Sequence, residues 1–125
     1  MSLASKTYFK LAQEAEKLME SADDSNIKKE YRKVAGQNYF YSAIEAIEWI
    51  LKKAGVDLYS INNHQERLAV VKKHFSLFKD SASLILKFEI MLNYDYRRKV
   101  AYKGENGNKF LLVKELAQIC QNEIR

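Results

Sequence analysis

Proline is absent from the 125 residues, glycine occurs four times and cysteine once. Folds built on tight turns need Pro and Gly at regular intervals, so their scarcity argues against a sandwich or a barrel. A lone Cys120 closes no internal disulfide and is too little for a Cys-rich zinc site. No apolar run approaches the roughly 20 residues that cross a bilayer, and the opening MSLASKTYFK has no h-region. Neither a membrane span nor a secretory signal is expected. Gly-rich phosphate loops and Ser-centred nucleophile elbows are missing as well. These absences point to a chain of a reducing compartment, with a cytoplasmic location and no cofactor expected.

What is present is ordinary globular material: 47% hydrophobic and 12% aromatic residues, with eight Tyr, six Phe and one Trp. A chain of this length supports one core, so residues 1–125 are read as a single domain. The formal net charge is +5, with the acidic residues spread along the chain rather than gathered in a tail. That balance permits contact with phosphate without demanding it.

Between the glycines (Gly36, Gly55, Gly104 and Gly107) the apolar residues recur with a helical period. The pattern predicts an all-α antiparallel bundle of four long helices plus one shorter helix. The first helix runs from about Leu3 to Ala22, with Tyr8, Leu11, Ala12, Ala15, Leu18, Met19 and Ala22 on its apolar side. Asp23, Asp24, Ser25 and Asn26 are N-cap residues that open a second helix from about Ile27 to Ala54, closed by Gly55 at C′ and Val56 after it. Its start is polar (Lys28, Lys29, Glu30, Arg32, Lys33), whereas residues 39–51 are apolar on nearly every side, which makes this the central helix.

Asn63 and Glu66 read as a capping box for the short third helix, whose stripe is Leu68, Val71, Phe75 and Phe78. Asp80 and Ser81 cap a fourth helix, from about Ala82 to Lys103. A fifth, from about Lys109 onward, buries Leu112, Val113, Leu116, Ile119 and Cys120.

The densest polar and aromatic segment is NYDYRRKVAYKG, residues 93–104. Consecutive bases with tyrosines near a helix end suit phosphate and base stacking, because guanidinium groups fork onto phosphate and phenol rings stack on bases. The same residues also fit a plain solvated helix end, since cations there complement the macrodipole. Glu45 and Glu48 interrupt the apolar helix, and Glu48 is expected to pair with Lys52 four residues on. His64 and His74 have no acidic or thiol neighbours grouped with them, so no metal is expected. Cys120 reads as a small buried hydrophobe.

The segment RRKVAYKG resembles the signature region of the HEPN superfamily, small helical bundles often found beside minimal nucleotidyltransferases. Residues 39–56, YFYSAIEAIEWILKKAGV, resemble the small- and aromatic-rich helix of those domains. RNase members carry an Arg, a polar residue and then a His. Arg97 matches the Arg, Arg98 falls at the polar position, and Tyr102 stands where the His would be. The string from Arg97 to Ala101 and Tyr102 looks closer to the nucleotidyltransferase-associated, UPF0332-like branch. A phenol with a pKa near 10 is a poor proton shuttle at neutral pH, so catalysis by this chain is disfavoured.

The resemblance implies a domain that binds nucleotide or RNA, or presents it to a separate nucleotidyltransferase partner, and that pairs as a homodimer. Arg97, Arg98 and Lys103 would contact phosphate and Tyr102 would stack or donate a hydrogen bond. The alternatives are a toxin-like, metal-independent RNase using Arg97 with Tyr102 and a His supplied from elsewhere, and a structural protein-interaction module.

Overall fold

In a computed structural model of the chain the described residues are 2–93, 103–104 and 108–125. They hold five α-helices, α1 (Leu3–Ser21), α2 (Ser25–Lys53), α3 (His64–Lys73), α4 (Ser81–Asn93) and α5 (Asn108–Glu123), with a 3-10 turn at Phe75–Leu77. The all-α expectation holds, and no strand occurs among the described residues.

Helices α1 and α2 form an antiparallel hairpin held by a seam of small residues. Ser5, Ala12 and Ala15 of α1 are buried, as are Ala35, Ser42, Ala43 and Ala46 of α2. Small side chains bring the two backbones close enough for direct polar contact. Ser5 Oγ donates to the Ser42 carbonyl at 2.6 Å, and Ser42 Oγ donates to the Ser5 carbonyl at 2.8 Å. Gln121 of α5 then donates to both hydroxyls, at 2.7 and 3.0 Å. The two hydroxyls and the Gln121 amide nitrogen of this buried knot all have partners, as burial demands.

Helix α5 runs antiparallel to α1: Lys114 meets Glu16 near one end and Gln121 meets Ser5 near the other. Aromatic rings fill the wider part of this three-helix layer, with Tyr39 edge-on to both Phe9 and Phe110. Helix α2 is the central one. Ile47 and Leu51 are fully buried, and Ile44 packs against the same core.

The helix ends follow their local chemistry. Asp24 alone serves as N-cap of α2, accepting from the amides of Asn26 and Ile27, so the helix starts at Ser25 rather than near Ile27. At the other end the Val56 amide reaches the Leu51 carbonyl and the Gly55 amide reaches Lys52, a Schellman closure with Gly55 at φ 85°. Asn63 caps the Glu66 amide as expected, but the Glu66 carboxylate returns to the amide of Asn62, one residue further back than a capping box places it. The amides leading into α4 are met by a carboxylate from another helix: Glu123 accepts from Lys79 N at 2.6 Å and Asp80 N at 2.7 Å. That long-range cap supplements the Asp80–Ser81 signal in the sequence.

Three expectations need correction. Leu11 and Leu18 are 44% and 49% exposed, because the small residues beside them carry the close approach and leave the larger ones on the flank. Phe75 is 58% exposed, because α3 stops at Lys73 and the tighter 3-10 turn rotates Phe75 off the helical stripe, while Phe78 returns to the core. Lys103 lies in a turn and not in a helix, next to a Gly104 of positive φ.

Candidate functional site

Arg97, Arg98 and Tyr102 lie outside the described residues. Lys103 and Gly104, the end of the same segment, are described, and they show where it meets the bundle. Lys103 is exposed and Gly104 is buried. The glycine is pressed onto the first turns of α2: a Cβ there would lie 2.9 Å from both Lys29 Cγ and the Lys29 carbonyl oxygen, and 3.1 Å from Lys33 Cγ. Its φ of 67° also belongs to the region other residues avoid. Arg32 fastens the contact, donating from Nη1 to the Gly104 carbonyl at 2.9 Å across 72 residues of chain.

Lys29, Arg32 and Lys33 are three and four residues apart and share one face of α2. Gly104 therefore gathers three helix cations beside Lys103. Among the described residues one carboxylate pairs with them, Glu30, whose Oε1 lies 3.0 Å from Lys33 Nζ and which is itself largely exposed. Among the described residues the remainder is a local excess of positive charge on a helix, and such an excess attracts polyanions. Arg32 Nε is buried and has no partner among the described residues. Arg32 thus acts as a clamp, while Lys29 and Lys103 are the exposed, solvated charges.

This gathering was not visible in the sequence. The polar opening of α2 was legible as a run, yet nothing in it announced a partner 72 residues away. The available signal was a glycine closing a basic segment, combined with a basic run at the start of an otherwise apolar helix.

The other candidate groups resolve into structural roles. Glu48 pairs with Arg67 of α3 instead of Lys52: Arg67 Nε and Nη2 both donate to Glu48 Oε1, at 3.0 and 2.7 Å. The guanidinium wins because it brings two fixed donors from a neighbouring helix onto one oxygen, whereas Lys52 offers a point charge on a flexible stem. Arg67 Nη1 lies 2.6 Å from His64 Nδ1, and since Arg is a donor only, that ring nitrogen accepts. His64 also sits edge-on to Phe40. No group of three His, Cys, Asp or Glu able to hold a metal occurs among the described residues. Burial pushes the Cys120 thiol far above its ordinary range, with Glu123 adding to the effect, so it is held as the neutral form.

The larger depressions lie at the opposite end of α2. One of about 410 Å³ is lined by Glu48, Lys52, Val56, Asp57, Leu58 and Tyr59. Lys29 and Lys52 are 23 residues apart on one helix, which places them about 35 Å from each other. The basic surface and these depressions are separate features. No helix among the described residues is long and apolar enough to cross a membrane.

No family model matches the chain, and neither a curated protein nor a solved structure matches it.

Proposed function

We propose that this chain is a HEPN-like antiparallel bundle of four long helices and one shorter one that binds RNA or nucleotide through phosphate and has no catalysis of its own. In this reading Arg97, Arg98 and Lys103 contact phosphate and Tyr102 stacks on a base. A separately encoded minimal nucleotidyltransferase receives the bound substrate, and two copies of the chain pair as a homodimer. The observation that supports the reading is the convergence of Lys29, Arg32 and Lys33 on Gly104, beside Lys103. The basic segment of the sequence thereby ends against a second set of cations.

The test uses the full chain and a fluorescein-labelled single-stranded RNA, read by fluorescence anisotropy at low salt. Replacing both guanidiniums, Arg97→Ala with Arg98→Ala, should weaken binding by about 2–3 kcal/mol as charge-assisted contacts are lost. Unchanged affinity in a variant of normal melting temperature would leave only a solvated cluster of charges.

A further inference from the structure

Helix α1 carries two heptad seams. The inner one, Ser5, Phe9, Ala12, Glu16 and Met19, faces the bundle. The outer one, at steps of three and four residues, is Ala4, Tyr8, Leu11 and Leu18, with Ala15 of the buried hairpin seam completing the spacing. Helix α2 repeats the arrangement: Ala35, Tyr39, Ser42 and Ala46 face α1, while Ile27, Tyr31, Val34, Asn38 and Tyr41 form a second line. Tyr8 and Tyr41 touch, with ring centroids 5.5 Å apart, so the two outer lines lie side by side on one face of the antiparallel hairpin. Four of its aliphatic side chains are about half exposed: Leu11 44%, Leu18 49%, Ile27 51% and Val34 46%. Sustained a/d spacing is the pattern by which helices pack on other helices.

We propose that this face is where a second copy of the chain docks, α1 and α2 of one copy laid across α1 and α2 of the other. The inference rests on the homodimer proposed above and locates its interface.

Charge selects the occupant. The chain carries 21 Lys and Arg and a net +5, so two copies repel over most of their surface. Of those cations Lys28 alone borders the outer seams, at the start of α2 beside Ile27; the outer flank carries Thr7, Glu14 and Ser21 on α1 and Glu30, Gln37 and Ile44 on α2. This is the face on which two basic copies can approach. Its amide side chains are each held within the helix by one bond: Asn38 Nδ2 donates to the Val34 carbonyl and Gln37 Nε2 to the Tyr41 hydroxyl. Each keeps one further N–H and a carbonyl oxygen for the partner copy.

The two antiparallel lines also make the face self-complementary under a two-fold axis. Two helices side by side, each contributing about 21 Å of seam, give on the order of 800–900 Å² of total buried area, the size of a weak, concentration-dependent interface.

Sedimentation equilibrium of the full chain from about 5 to 200 μM tests the proposal. Wild type should be a dimer. The variant Leu11→Lys with Val34→Lys, and separately Leu18→Lys, should raise the dimer dissociation constant about 100-fold or more, since each buries an unpaired charge at the interface. Leu86→Lys, on α4 and 59% exposed, should leave it unchanged. Circular dichroism melting confirms that each variant is folded, and with these side chains already half exposed the fold should tolerate the change. A wild type that stays monomeric throughout overturns the homodimer itself. A dimer that survives in both seam variants overturns this face while leaving the homodimer standing.

Discussion

Gly104 is the residue on which the geometry of the basic surface turns. An added methyl group would meet the Lys29 carbonyl oxygen at 2.9 Å, a backbone atom that cannot swing away, and φ is 67° besides. Gly55 provides the internal comparison: its φ is 85°, yet nothing lies within 4 Å of a Cβ built there. Gly55→Ala should therefore cost about 1 kcal/mol, the conformational term alone. Gly104→Ala adds a backbone clash, and urea denaturation should give a loss of about 2–3 kcal/mol. Equal costs at the two positions would show that the chain at 104 lifts off α2 freely.

A second expectation at this scale concerns alkaline pH. Burial raises the pKa of Cys120, and burial with the hydrogen bond to Glu16 raises that of Tyr39. In the folded state both stay protonated, while in the unfolded chain they lose protons near pH 8.5 and 10. A group whose folded pKa is raised gives stability that is complete below its unfolded pKa and declines above it. The melting temperature should fall as pH rises from about 8.5, and Cys120→Ala should flatten the first part of that fall. A wild-type profile flat to pH 10 would contradict the burial of both groups.

Among the elements, the helix hairpin rests on the knot of Ser5, Ser42 and Gln121. Ser42→Ala deletes the donor to the Ser5 carbonyl and one acceptor of Gln121, at an expected cost of about 1–2 kcal/mol. The triple change Ser5→Ala, Ser42→Ala, Gln121→Leu removes donors and acceptors together, and should cost less than the sum of the three single changes. Additive costs, measured by denaturant unfolding, would mean that the groups act independently.

Local signals carried most of this level into the sequence. Asp24 and Asn63 cap their helices and Gly55 closes α2, because each acts within a few residues of itself. What the sequence hid were pairings across distance. Arg67 takes Glu48 from 19 residues away, and Glu123 meets the amides before α4 from 43 and 44 residues away. The half-exposed Leu11 and Leu18 were misread for a related reason. Periodicity reports that a side is apolar, and it does not say whether that side is covered by this chain.

At the scale of the whole molecule, Lys103 and the basic start of α2 meet at Gly104, while the apolar hairpin face is poor in cations. A net +5 spread evenly would bind RNA weakly and without a preferred place. A patch fixed on a helix binds it at that place. The most direct measurement is the salt dependence of RNA affinity for three full-length proteins: wild type, Lys29→Ala with Lys103→Ala, and Lys52→Ala with Lys53→Ala at the far end of α2. The last two lose the same charge. Each phosphate contact on a single strand contributes about 0.7 to the slope of log affinity against log salt. The Lys29 and Lys103 variant should bind more weakly at low salt with a slope shallower by about 1.4, and the Lys52 and Lys53 variant should match wild type. Indistinguishable slopes and affinities in the two variants would contradict the surface at Gly104.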